Sequence, residues 1–211
     1  MYKNFEDNMI QVFDDFINLD YQEKIKNILI GGTDSKNKHH ESEFPWYFIE
    51  DVTASGDDDS QHRPAMGHQY VILDDDDESE IMSVYHHLFT PLLGKACQYL
   101  KMPQTEVLQG RSFLQFPLAN VDTSVADTPH IDLDEGDEHI VVLYYVIDSD
   151  GDTVIYNERI ESDTYTEKQR VSPKQGRVVI FEGGQYHTAK QPTKGTRCIV
   201  NYNIDFYDTE L

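Results

Sequence analysis

The feature that most constrains this chain is a series of short β-rich segments after residue 105. They read RSFLQFP (111–117), HIVVLYYVI (139–147), DTVIYN (152–157), RVVIF (177–181) and TRCIVNYNIDF (196–206). The turn-forming clusters DSDGD, SPKQG, EGGQ and PTKG lie between them. β-branched and aromatic residues suit a pleated, packed surface, whereas Gly, Pro, Asp and Ser interrupt it. Many short strands at regular spacing predict a sandwich or jelly roll.

The first half has a different texture. The stretch IQVFDDFINLDYQEKIKNILIGG (10–32) opens as a short strand. Asp20 then caps a helix with Ile25, Ile28 and Leu29 on one face, stopped by Gly31-Gly32. HQYVILDDDD (68–77) reads as a strand running into an acidic turn, and residues 33–43 and 55–64 as loops. From Ser79 to Lys101, Ile81, Val84, Tyr85, Leu88, Leu92, Ala96 and Tyr99 keep a helical period, and Pro91 is expected to bend that helix. FPWYFIEDV (44–52) concentrates aromatic residues, and Trp46 and Tyr47 are read as core in preference to the lining of a substrate cleft. No repeat or linker divides the chain. The expected organisation is one domain over 1–211, helical and irregular over 1–105, with the jelly-roll strands over 106–211. The fold class is α+β, mainly β: a double-stranded β-helix with N-terminal supporting helices.

Composition narrows the partners. A net charge of −22 without any Lys or Arg run disfavours nucleic acid and anionic membrane. A hydrophobic content of 38% supplies a core. Cys97 and Cys198 are too few for a disulfide scaffold and read as buried thiols of a reducing compartment. MYKNFEDNM lacks the basic and apolar regions of a signal peptide, and no apolar run is long enough to span a membrane. A cytoplasmic protein is expected.

The chemistry centres on TPHIDLDEG (128–136). With 24 Asp and 9 His in the chain, a His followed two places on by Asp arises about once by chance. His39-His40-Glu41 is a competing His-x-acid match. The neighbours of His130 and Asp132 therefore carry the weight. Alternation along a strand puts these two on one face, and His187 follows EGGQY in the same strand-rich half. Two imidazoles and one carboxylate form the facial donor set of non-haem Fe(II). Arg197, ten residues beyond His187, opens a strand, and its planar fork matches a carboxylate bidentately. His39, His40, His86, His87 and His139 are assigned to structure or solvent. Asp148, Asp150 and Asp152 lack the spacing of a calcium loop and read as a solvated hairpin turn. Asp57–59 and Asp74–77 read as solvated loops.

His-x-Asp, then VVLYYV, then GRVVIFEGGQYHTAKQPTKGTRCIVNYNIDF resembles the Fe(II)/2-oxoglutarate-dependent oxygenases over residues 110–206. The resemblance is to their prolyl-4-hydroxylase-like branch and its short phage and marine bacterial forms. It implies His130, Asp132 and His187 as catalytic metal ligands and Arg197 as partner of the distal carboxylate of 2-oxoglutarate. It implies Tyr145, the second Tyr of the YY pair, as a further contact to that carboxylate. Fe(II), 2-oxoglutarate and O2 follow as cofactor and cosubstrates. The implied reaction hydroxylates an unactivated C–H of a peptide or small molecule and releases succinate and CO2. Where the family often has Tyr-Pro on the preceding strand, this chain has Phe116-Pro117, without a hydroxyl. Asn201 and Asn203 share strand parity with Arg197 and are candidate cosubstrate contacts. Two alternatives stand beside this reading. A cupin-like metal enzyme without 2-oxoglutarate is disfavoured by Arg197, and a jelly-roll binding module by the intact triad.

Overall fold

HIVVLYY (His139–Tyr145) is buried at every position, so neither of its faces meets solvent. A strand of that kind needs layers on both sides, and the fold is built around that need. The computed structural model describes residues 9–33, 38–52, 63–74, 78–102, 105–119, 122, 127–133 and 138–205. Their elements in chain order are β1 (Ile10–Phe13), α1 (Leu19–Ile30), β2 (Gly32–Thr33), β3 (His39–His40), β4 (Tyr47–Ile49), β5 (Ala65–Leu73) and β6 (Ser79–Ile81). A 3₁₀ helix (Val84–Phe89) leads into α2 (Thr90–Leu100). Then come β7 (Val107–Gln115), β8 (His139–Tyr145), β9 (Thr153–Tyr156), β10 (Glu167–Val171), β11 (Val178–Glu182), β12 (His187–Ala189) and β13 (Arg197–Asp205).

The large antiparallel sheet runs β1-β11-β8-β13-β7-β5-β4, with β6 also on β5, and the small sheet runs β10-β9-β12. The chain passes from β8 to the small sheet at β9, returns at β11, crosses again to β12 and returns at β13. That alternation is the jelly-roll winding. Val141, Leu143 and Tyr145 of β8 face the small sheet with Ile155, Val171, Val179, Phe181 and Ile199. Ile140, Val142 and Tyr144 point the other way, against Ile25 and Leu29 of α1 and Leu92 and Ala96 of α2. Each fully buried aliphatic side chain contributes about 1.5–3 kcal/mol. The helices thus buttress the outer face of the large sheet, while its inner face lines the space between the sheets.

Several expectations are corrected. The cap of α1 is Asn18, whose side chain accepts from the Tyr21 N–H at 2.9 Å; Asp20 lies in the first turn, where an anion suits the helix dipole. The helical period over Ser79–Lys101 splits into β6, the 3₁₀ helix and α2. Pro91 stands in the first turn of α2, where its missing N–H costs nothing, so it starts a helix instead of bending one. Residues 1–105 also supply strands: β1 at one edge of the large sheet and β4, β5 and β6 at the other. DSDGD is a crossover between the sheets, not a hairpin turn. Asp150 accepts from the backbone of Thr193 and Lys194, Asp148 from that of Gln175, and Asp152 pairs with Arg170. The small strands β10 and β12 carry no apolar run that marks them. Trp46 packs on the core and donates to the Leu29 carbonyl, but Tyr47 is 63% exposed. Cys198 is buried and Cys97 half-buried. Asp57–59, Asp75–77 and most of the 55–64 loop lie outside the described residues. Among the described residues no helix is long and apolar enough to cross a membrane.

Candidate active site

His130 and His187 form an antiparallel bridge, each donating its backbone N–H to the other's carbonyl at 3.0 and 2.9 Å. The bridge sets the two imidazoles side by side, with ring centroids 4.8 Å apart. Asp132, two residues on, brings its carboxylate to both: His130 Nε2 lies 3.8 Å from Oδ1 and His187 Nε2 lies 3.7 Å from Oδ2. Ligand atoms of all three lie within 4.8 Å of one another. His130 Nδ1 sits 3.2 Å from the Thr128 carbonyl and His187 Nδ1 3.1 Å from that of Gln185. A proton on each Nδ1 satisfies both carbonyls and leaves both Nε2 lone pairs facing Asp132. Such carbonyl contacts orient metal-binding histidines. Burial pushes the His187 imidazole down to about 4, so it is neutral at pH 7 despite Asp132. Burial alone raises the Asp132 carboxyl, but Arg111, the two imidazoles and Asn201 together hold it well below the usual carboxylate range. Two imidazoles and one carboxylate fit a divalent metal of the Fe(II) type.

The cluster opens into a cavity of about 680 Å³ between the sheets, within the range of about 300–1,000 Å³ usual for small-molecule sites. Apolar Leu143, Phe181 and Ile199 form part of its wall. At one end is Arg197, 3% exposed. Its Nε donates to the Gly151 carbonyl at 2.9 Å, Nη1 to Gln115 Oε1 at 2.7 Å and Nη2 to Thr153 Oγ1 at 2.9 Å. All three acceptors are neutral, and among the described residues no carboxylate comes within ion-pair distance. Burial accordingly lowers the pKa of this guanidinium. The Tyr145 hydroxyl donates to the same Thr153 Oγ1 at 2.8 Å, and its ring lies 6.0 Å from the guanidinium. Burial pushes the Tyr145 phenol up to about 12, so it stays a donor at neutral pH. Gly151 has no side chain to spare here: a Cβ would come within 2.9 Å of Arg197 Cδ and 2.7 Å of the Lys190 carbonyl.

The sequence model of the 2OG-Fe(II) oxygenase superfamily matches residues 118–205, the segment that carries His130, Asp132, His187 and Arg197. That segment, less than half of the chain, is similar to the 2OG-Fe(II) oxygenase superfamily. Enzymes of that superfamily are oxidoreductases that use Fe(II), 2-oxoglutarate and O2. Solved structures share the fold. A 2OG-Fe(II) oxygenase family oxidoreductase from Burkholderia pseudomallei superposes with a TM-score of 0.65 at 10% identity, covering 95% of this chain and 86% of its own. A viral collagen prolyl hydroxylase from Paramecium bursaria Chlorella virus-1 gives 0.53 at 10% identity, covering 94% and 96%. A Pseudomonas putida prolyl-4-hydroxylase gives 0.52 at 13% identity, covering 96% and 95%. No curated protein matches by sequence.

The residues singled out from the sequence do not all share one place. His130, Asp132, His187 and Arg197 line one cavity. Asn201 lines it too, but it donates to Asp132 Oδ2 at 2.8 Å and so serves the cluster. Asn203 lies beyond the cavity lining and donates to Gln109 Oε1 at 3.2 Å. Tyr145 stands behind the lining, next to Arg197 and Thr153. Phe116 is 37% exposed, past the end of β7. Gln115 takes the inward place, in register with Arg197. Besides Gln115, the cavity residues that escaped the sequence reading include Arg111, which donates from Nη2 to Asp132 Oδ1, Thr153, and Asp127, which pairs with Arg63 at 2.5 Å. Arg111 had a signal, since it shares strand parity with Gln115. Nothing local marks the other two.

Proposed function

We propose that this protein is a 2OG-Fe(II) oxygenase that hydroxylates an unactivated C–H bond of a peptide or small molecule, with His130, Asp132 and His187 holding Fe(II) and Arg197 holding 2-oxoglutarate. The overall reaction takes 2-oxoglutarate, O2 and R–H to succinate, CO2 and R–OH. The observation that carries this reading is Arg197: a buried cation with only neutral acceptors, in the same cavity as the His-Asp-His cluster. A buried charge without a partner is costly, and a ligand carboxylate is the anion that relieves it. Bound together, Fe(II) and 2-oxoglutarate supply the oxidising chemistry. The chain's own residues do the rest. The carbonyls of Thr128 and Gln185 hold the two rings by Nδ1 with Nε2 toward Asp132, and Asp132 stays ionised. The Arg197 fork pairs with the distal carboxylate, and the Tyr145 hydroxyl supports that end through Thr153, whose Oγ1 accepts from both Tyr145 and Arg197 and leaves its own proton for the carboxylate. Leu143, Phe181 and Ile199 keep water from the reacting end.

Tyr47 and Ile49 of β4 stand at the cavity as well, so the substrate enters past an edge strand of the large sheet. Two proteins of the same fold carry the name prolyl hydroxylase, which puts peptidyl proline first among substrates to try. The test is a succinate-release screen of the iron-loaded protein against proline-containing peptides, free amino acids and their amides. Substrate-dependent succinate that stops in His187→Ala supports the reading. Substrate conversion that proceeds without 2-oxoglutarate contradicts it and favours the cupin-like alternative.

A further inference from the structure

We propose that Arg111 is a positioning residue that reserves one oxygen of Asp132, so that the carboxylate offers a metal a single donor. This rests on the metal reading above and goes beyond it. Arg111 lies on β7, in register with Asn201 of β13 and Gln69 of β5. Arg111 Nη2 donates to Asp132 Oδ1 while Asn201 Nδ2 donates to Oδ2 at 2.8 Å. One strand pair therefore grips both oxygens of a carboxylate that is only 1% exposed. The guanidinium carbon lies 5.3 Å from the Phe113 ring centre, which backs its plane. Its Nε is buried with no hydrogen-bond partner among the described residues, so the side chain is held for the Asp132 contact and not for a network of its own.

A guanidinium in that place has two effects on a dication. It takes one of the two lone pairs of Oδ1 and draws charge from that oxygen, which would disfavour binding of a metal through both oxygens. It also sets a positive charge beside the metal, which weakens metal binding and favours an anionic cosubstrate. Both effects have the same sign. An ordinary outer partner that only orients a ligand has the opposite sign for the metal: its loss costs about 10–100-fold in affinity.

The experiment measures Co(II) affinity, the Co(II) absorption spectrum and 2-oxoglutarate affinity of the Co(II) protein, for wild type, Arg111→Met and Arg111→Lys. Arg111→Met is expected to bind Co(II) about tenfold or more tighter, by removal of a charge in near contact. It should also change the Co(II) spectrum and bind 2-oxoglutarate about tenfold more weakly, whereas Arg111→Lys, which keeps the charge but not the planar donor set, should fall between wild type and Arg111→Met. If Arg111→Met does not fold, Arg111→Gln, an uncharged donor, must still bind Co(II) more tightly. Weaker Co(II) binding, or no change in either affinity, overturns the role of Arg111. If wild type and His187→Ala bind Co(II) alike, the metal reading itself fails and this proposal falls with it.

Discussion

The two ends of the cavity solve the problem of buried charge in opposite ways. Arg197 is a cation whose donors reach a backbone carbonyl, an amide and a hydroxyl, and no anion. Asp132 is an anion met by a guanidinium, an amide and two imidazoles. Burying a charge is expensive unless it is paired and hydrogen-bonded. The Asp132 end has its compensation built in, so it stays ionised and in place. The Arg197 end is hydrogen-bonded but uncompensated, so it is completed only by an incoming anion. The difference separates a site that holds its ligand set ready from one that selects what enters.

The sharpest way to break this comparison is to empty the Asp132 end. Asp132→Ala removes the only carboxylate of the cluster and is expected to abolish both iron binding and turnover. Iron stoichiometry after anaerobic reconstitution, with circular dichroism to confirm the fold, checks it. A variant that keeps full iron would contradict the ligand assignment. Next in size is Arg197→Ala. It should weaken 2-oxoglutarate by about 2–5 kcal/mol, the range for truncating one partner of a buried charge pair, and leave iron stoichiometry unchanged. Arg197→Lys, with the charge but without the fork, should fall between. Calorimetric titration separates these outcomes from a loss of metal. Tyr145→Phe removes one donor and should cost about 0.5–1.5 kcal/mol of the same binding; an effect as large as that of Arg197→Ala would mean that the hydroxyl organises the whole end.

The smallest effect concerns pH. The folded pKa of His187 is depressed to about 4 from an ordinary 6.5, so between those values the unfolded chain binds more protons than the folded one. Stability of the metal-free protein is therefore full above about 6.5 and is lost as pH falls toward 4. Thermal melts across that window should show a steeper fall in wild type and Arg197→Ala than in His187→Ala. Equal slopes in all three would remove His187 as the cause.

These outcomes also mark how much was legible in the sequence. The continuous runs of β8, β11 and β13 announce strands covered on both faces, and the family resemblance singles out His130, Asp132, His187 and Arg197, which the fold brings to one cavity. Interruptions misled where several structures share one local pattern. Ser79–Lys101 keeps a helical period although its first residues pair with β5 and Pro91 begins the helix. DSDGD has the composition of a hairpin turn, yet it joins two sheets, because local residues do not say which sheet the next strand enters. Arg111 and Gln115 became site residues only through register, which pairs them with Asn201 and Arg197 across β13. Phe116 held attention as the residue before a proline, whereas the strand ends one position earlier.

The central claim, that this chain holds Fe(II) at His130, Asp132 and His187 and meets 2-oxoglutarate with Arg197, is tested most directly by one titration. 2-Oxoglutarate is added without oxygen to the Fe(II) protein while the metal-to-ligand charge-transfer absorption is followed. The account predicts a band that saturates at one equivalent, that pyruvate, lacking the distal carboxylate, develops only at far higher concentration, and that is absent in His187→Ala. A band that pyruvate raises as readily as 2-oxoglutarate, or no band with either, would contradict it.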